Sequence, residues 1–382
     1  MKTLSLLMLL LAPSLPAAEP QKSTVDADGT VHMPAFAVPL SRYMSEQAKR
    51  QFIEEVLKPP AMDSGPNVPI AKMRAQVDDY YRPLVERAEA LYPVNISDET
   101  IGGVRTQIVT PKSGLSARNR ERVLINLHGG GFLVGAGLGG LAESIPISGM
   151  GKFKVISVDY REAPEYRFPA ASEDVTSVYA ELLKQYRAEN IGIYGCSAGG
   201  ILSAMTVAWL QKEKLPKPGA IGIVSAGAFG SFYGSPADAN TWGGDSRFTG
   251  PPLVGGAPLP PHGVTSDEMP DALQYIGHTD VNDPLVSPAL SPTILAKFPP
   301  TLLIAGTRAF DMSAAVQTQR ELTKVGVEAD LHLWDGLGHC FLLDVNLPES
   351  QEAFMVITAF FDSHLGQSAV RKSESVKSSR AQ

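Results

Sequence analysis

A serine hydroxyl becomes a nucleophile only when a base takes its proton, and the charge that then develops on an attacked carbonyl oxygen needs N–H donors aimed at it. The 382-residue sequence holds residue types suited to both tasks. Gly195, Cys196, Ser197, Ala198 and Gly199 read "GCSAG", a serine between glycines. It follows the β-rich run "IGIY" and opens an apolar helical stretch, the strand, sharp turn, helix order that exposes an Oγ at the end of a sheet. Upstream, "NLHGGGF" sets His128 before Gly129, Gly130 and Gly131 at the end of the run "VLINL". Bare backbone there can approach a ligand closely and donate to it. Gly130, Gly131 and Ala198 are the candidate oxyanion donors, while His128, Gly129, Gly195 and Gly199 shape the two turns.

The base is His339. Of seven histidines, it alone lies on a Gly-rich turn just after the last β-rich run and downstream of the serine. His332 alternates within that run, His364 belongs to the terminal helical pattern, and His128 is part of the glycine motif.

These residues need a scaffold, and the chain from residue 103 onward has the texture of one. Short apolar runs "VLINL", "VISV", "IGIY", "IGIV", "TLLIA" and "LHLW" alternate with helical patterns near 170–186, 198–212, 314–325 and 349–365. That alternation predicts a mostly parallel sheet covered on both faces by helices, an α/β fold. Before it, Ile70, Met73 and Val77, then Leu84, Ala88 and Leu91 beyond Pro83, predict two short amphipathic helices. Residues 229–265, rich in Gly and Pro, read as a long irregular excursion in which Phe229, Phe232, Tyr233 and Trp242, with Phe132 upstream, are candidates for lining a pocket.

"HGGGF", "DYREAPEYRFPAASED", "YGCSAGG", "DPLVSP" and "GLGHCF" stand in an order and spacing that resemble the hormone-sensitive-lipase-like branch of the α/β-hydrolases. The resemblance implies an eight-stranded, mostly parallel sheet flanked by helices, an N-terminal helical cap, and hydrolysis of small carboxylic esters with no metal or organic cofactor. It also exposes a departure. The branch carries its acid just after the penultimate core strand, and the aligned residue in "AGTRAFDMS" is Ala309. Asp311, two residues on, is the expected acid; Asp283, in "DPLVSP", is the alternative. The missing acid keeps a ligand-binding protein that has lost the chemistry in view, beside an aromatic (feruloyl-type) esterase, a lactone hydrolase, and an amidase or peptidase.

The only two cysteines flank the reactive pair: Cys196 precedes Ser197 and Cys340 follows His339. If Ser and His meet at hydrogen-bond distance, their chain neighbours come within the range of about 4.4 to 6.8 Å between Cα atoms that a disulfide demands. The same Cys-Ser and His-Cys pairing is similar to that of tannases and feruloyl esterases. A Cys196–Cys340 disulfide is therefore expected.

The N-terminus reads "MKTLSLLMLLLAPSLPAAEP", the charged, apolar, small-residue order of a secretory signal, with an apolar run too short to span a bilayer. The expected organisation is a signal peptide over 1–18, a helical cap region over 19–95, a catalytic domain over 96–366 and a polar, disordered tail over 367–382. Export to the periplasm or beyond would put the cysteine pair in an oxidising compartment. Net charge is −7 and no basic face is patterned, which argues against nucleic acid as a partner. A small-molecule ester is the expected partner, the mature chain has no stable membrane span, and oligomeric state is left open.

Overall fold

The computed structural model describes residues 23–27, 31–32, 39–57, 68–230, 275–277 and 279–366. The signal segment, nearly all of the Gly- and Pro-rich excursion with Phe232, Tyr233 and Trp242, and the polar tail lie outside the described residues. The chain divides into two compact units, residues 1–39 and 40–382. In the first, β1 (Thr24–Val25) pairs antiparallel with β2 (Val31–His32).

The second unit opens with helices α1 (Glu46–Leu57) and α2 (Ile70–Leu91). Helix α1 falls within the expected cap region, though no periodicity singles it out, and α2 is one helix where a break at Pro83 is expected. Helix α2 runs unbroken through Pro83 because Val77, Tyr81, Leu84, Val85 and Ala88 share one buried face. Pro83 sits opposite, on the exposed side with Asp79, so the carbonyl it leaves without a helical donor faces solvent rather than the core.

An eight-stranded sheet follows: β3 (Val94–Ile101), β4 (Val104–Pro111), β5 (Val123–Leu127), β6 (Lys154–Val158), β7 (Ile191–Cys196), β8 (Ala220–Val224), β9 (Thr301–Gly306) and β10 (Ala329–Trp334). Its spatial order is β10-β9-β8-β7-β5-β6-β4-β3. Pairing is parallel from β10 across to β6 and antiparallel in the β6-β4 and β4-β3 pairs. Helices α3 (Leu138–Gly151), α4 (Ala170–Leu182), α5 (Ala198–Lys212), α6 (Pro292–Leu295), α7 (Met312–Lys324) and α8 (Pro348–His364) complete the fold. They pack in pairs, α3 with α8 and α4 with α5. Strands β5, β7, β8 and β9 are buried along their whole length, which is why each reads as a continuous apolar run rather than an alternating one.

The parallel strands all end at the same edge, so the loops after β5, β7, β9 and β10 converge there. Those four loops carry His128 to Gly131, Ser197, Asp311 and His339. Among the described residues no helix is long and apolar enough to cross a membrane.

Candidate active site

Ser197 follows the last residue of β7 and precedes α5, with φ 58° and ψ −123°. A positive φ is uncommon for any residue with a Cβ, and such strain persists only where surrounding structure imposes it. Here the Ser197 N–H donates to the carbonyl of Val224 in the next strand at 2.9 Å. The turn is also too close to β5 for a side chain: a Cβ on Gly199 would lie 1.7 Å from the Leu127 carbonyl oxygen.

His339 arrives on the loop after β10. Its Nε2 lies 2.8 Å from Ser197 Oγ and its Nδ1 lies 2.5 Å from Asp311 Oδ1. With Asp311 ionised, Nδ1 donates to the carboxylate and Nε2 is left to accept from the serine hydroxyl. All three groups are buried, Ser197 at 8%, His339 at 4% and Asp311 at 1% exposure, so their interactions are little screened. Phe310 stacks on the imidazole with ring centres 4.4 Å apart, holding its plane. Asp311 directly precedes α7, where the helix dipole favours a negative charge. Its Oδ2 is buried without a hydrogen-bond partner among the described residues. Ala309 is itself fully buried, so the loop keeps an apolar residue at the aligned position and delivers its carboxylate two residues later.

The structure does not bring Asp283 to the histidine. Its Oδ1 accepts from the Leu285 N–H at 2.8 Å and its carbonyl from Val286 and Ser287, a turn built by the side chain itself.

Cys196 and Cys340 form a disulfide, with Cα atoms 6.4 Å apart and a sequence separation of 144. The Cys340 N–H donates to Ser225 Oγ at 2.9 Å, a second tie between the histidine loop and the strand beside the nucleophile.

The glycine loop is held from below. His128 is fully buried, stacked on Tyr160 at 4.2 Å, and its Nδ1 donates to the Gly129 carbonyl at 2.8 Å. The Tyr160 hydroxyl donates to the His128 carbonyl at 2.6 Å. Gly130 has φ +115°, and a Cβ there would lie 1.9 Å from the Val134 carbonyl oxygen. The N–H groups of Gly130, Gly131 and Ala198 have no acceptor among the described residues. Unpaired donors on the nucleophile turn and on the glycine loop, where a Cβ on Gly129 would lie 3.3 Å from Ser197 Cβ, suit an oxygen that acquires negative charge during reaction.

One residue at this centre escaped the sequence reading. Glu143 on α3 is 3% exposed and accepts from the N–H of Gly129 at 2.9 Å, the Asn126 amide at 2.9 Å and the N–H of Cys196 at 3.1 Å. Burial pushes its carboxyl up to about 7 while the three donors pull it down. A lone carboxylate in the otherwise apolar, small-residue stretch "GLGGLAESIPIS" was the available signal. Of the aromatic residues expected to line a pocket, Phe132 is instead buried against Tyr275 at 4.4 Å, and Phe229 packs on the core. Among the described residues no cluster of three or more His, Cys, Asp or Glu side chains is arranged to hold a metal.

Comparison with known proteins agrees with this architecture. An acetyl-hydrolase of Streptomyces hygroscopicus is 27% identical over 270 residues, covering 70% of this chain and 83% of that protein. An esterase of Acinetobacter venetianus is 24% identical over 285 residues, covering 73% of this chain and 87% of that one. Among solved structures, the crystal structure of esterase E25 is 29% identical, with a TM-score of 0.72 over 87% of this chain and 98% of its own. Residues 124–343 match the family described as alpha/beta hydrolase fold, a span that includes Gly130, Ser197, Asp311 and His339. The chain belongs to that α/β-hydrolase family, and its HGGG and GxSAG motifs resemble those of the hormone-sensitive-lipase-like branch.

Proposed function

We propose that the chain is a serine carboxylesterase that hydrolyses small carboxylic esters through an acyl-enzyme on Ser197. The observation that carries this reading is the unbroken contact from Ser197 Oγ to His339 Nε2 at 2.8 Å and from His339 Nδ1 to Asp311 at 2.5 Å.

In this reading His339 takes the hydroxyl proton as Ser197 Oγ attacks the ester carbonyl, and Asp311 stabilises the imidazolium that results. The carbonyl oxygen, now an oxyanion, accepts from the N–H groups of Gly130, Gly131 and Ala198. Collapse expels the alcohol, which leaves with the proton from Nε2. Water then gives a proton to His339, attacks the acyl carbon and releases the carboxylic acid, and Oγ regains its hydrogen.

A preference for short acyl or alcohol groups is supported by the names of the relatives, an acetyl-hydrolase and esterases. Export is the second element of the proposal, supported by the charged, apolar, small-residue order of residues 2–18 and by the disulfide at the site.

Rates on a graded series of p-nitrophenyl esters, from acetate to long acyl chains, test the reading. Hydrolysis that is fastest on the short chains and absent in Ser197→Ala is the expected result. Equal or faster cleavage of matched amides would replace the esterase by an amidase. N-terminal sequencing of protein recovered outside the cytoplasm, expected to start near residue 19, tests export.

A further inference from the structure

The two donor loops of an oxyanion site must keep a fixed separation, because the rate depends on where their N–H groups point at the moment of reaction. In this chain the loops come from different strands, Gly129 to Gly131 after β5 and Ser197 to Ala198 after β7. Registry between β5 and β7 ends at Leu127 and Gly195. Beyond that point the ladder no longer fixes one loop against the other.

We propose that Glu143 is a positioning residue: its carboxylate binds the glycine loop and the nucleophile turn at once and sets the spacing of the oxyanion donors. One oxygen accepts from the Gly129 N–H at 2.9 Å, one residue before Gly130. The other accepts from the Cys196 N–H at 3.1 Å, two residues before Ala198, and from Asn126 Nδ2 at 2.9 Å. All the donors are N–H groups, so only an acceptor-only side chain satisfies them together, which a carboxyl raised to about 7 is in its ionised form, above that pH. Asn126 is held in turn by the Ser157 hydroxyl at 3.3 Å, and the Tyr194 hydroxyl donates to the Glu143 carbonyl at 3.3 Å, which fixes the helix end of the tie. Behind the carboxylate a space of about 10 Å³ is walled by Ile147, Leu342, Phe354 and Ile357, so Glu143 borders apolar side chains on that side. A buried carboxylate that served only to fill space would be replaced at gain by an apolar or amide side chain. The position it occupies, between two catalytic loops, gives it a reason to be ionisable.

The inference rests on the esterase reading, and the test separates the two. Glu143→Gln keeps size and shape but presents an NH₂ to one of the two loops, whichever way the amide turns. On a short p-nitrophenyl ester its kcat is expected to fall by about 10- to 100-fold with KM within about threefold, the pattern of an interaction felt in the transition state. Its affinity for a trifluoromethyl ketone, whose hemiketal oxygen occupies the donor site, should weaken by the same factor as kcat/KM. Glu143→Asp, which keeps the charge but withdraws the carboxylate by one methylene, should also lose kcat. Unchanged kcat in a folded Glu143→Gln protein overturns the proposal while leaving the esterase reading intact; activity retained in Ser197→Ala overturns the reading itself. Should neither Glu143 variant fold, amide exchange in the unaltered protein decides. Protection at Gly129 and Cys196 should be equal, since one carboxylate closes both, and values differing by more than about tenfold would overturn the tie.

Discussion

Replacing Asp311 by asparagine removes one charge and almost no volume, so it isolates what the acid does. In the structure the carboxylate meets His339 Nδ1 at 2.5 Å, with both side chains buried. When the imidazole takes the serine proton it becomes a cation beside that carboxylate. For charge centres about 4 Å apart at an effective dielectric of about 20, the attraction is about 4 kcal/mol. Loss of that amount corresponds to a fall of about 10³-fold in kcat/KM. The amide compounds the loss, because its NH₂ can hold the imidazole with Nε2 protonated, the tautomer that cannot accept from Ser197. Initial rates on p-nitrophenyl acetate measure the effect, with a thermal melt on the same preparation showing that the fold is kept. Asp283→Asn is the paired control, since that carboxylate only closes a turn, and its kcat/KM should stay within about threefold of the parent. A loss below tenfold in Asp311→Asn, or an equal loss in Asp283→Asn, would refute the assignment.

Two further outcomes follow from groups around the site. The disulfide closes a loop of 144 residues, so a Cys196→Ala, Cys340→Ala double variant should lose stability by up to about 5 kcal/mol in the chain-entropy model, read as an urea midpoint. An unchanged midpoint would leave the bond without a stabilising role. Glu143 has its carboxyl raised from 4.5 to about 7, so between those values the folded chain binds a proton that the unfolded chain has released. Stability therefore falls as pH rises through that window, by about 3 kcal/mol by pH 8 relative to the non-titrating Glu143→Gln. Tyr160 and Tyr194, the phenols facing it, are pushed well above 10 by burial and do not titrate there. Parallel pH profiles for parent and variant, by chemical denaturation at pH 5 and pH 8, would contradict this.

The parallel core was legible because its strands are buried on both faces and so appear as uninterrupted apolar runs of the right length. The elements that were not legible obey other constraints. Strand β3 reads "VNISDETI", is largely exposed at the edge of the sheet, and carries no alternation to betray it. Helix α3 contains Pro146 and several glycines, residues that argue against a helix locally. Tertiary packing overrides that preference: a Cβ on Gly140 would lie 2.0 Å from Ser157 Oγ, so the glycine is what lets the helix sit against the sheet. At the site, Ser197 and His339 could be chosen from chain order and turn context. For the acid the sequence favours Asp311 with Asp283 as the alternative, because the answer depends on the backbone path between Ala309 and α7. Glu143 was missed because its partners are backbone N–H groups from two distant loops, which no spacing in the sequence encodes.

The claim on which all of this stands is that Ser197 is the nucleophile. A fluorophosphonate reacts with an activated serine and with little else, and the labelled peptide can be located by mass. One phosphonyl group per chain on the peptide carrying Ser197, appearing in step with the loss of ester hydrolysis and absent from Ser197→Ala, is the expected result. Hydrolysis that survives in Ser197→Ala, or complete inactivation with the label on another residue, would contradict it.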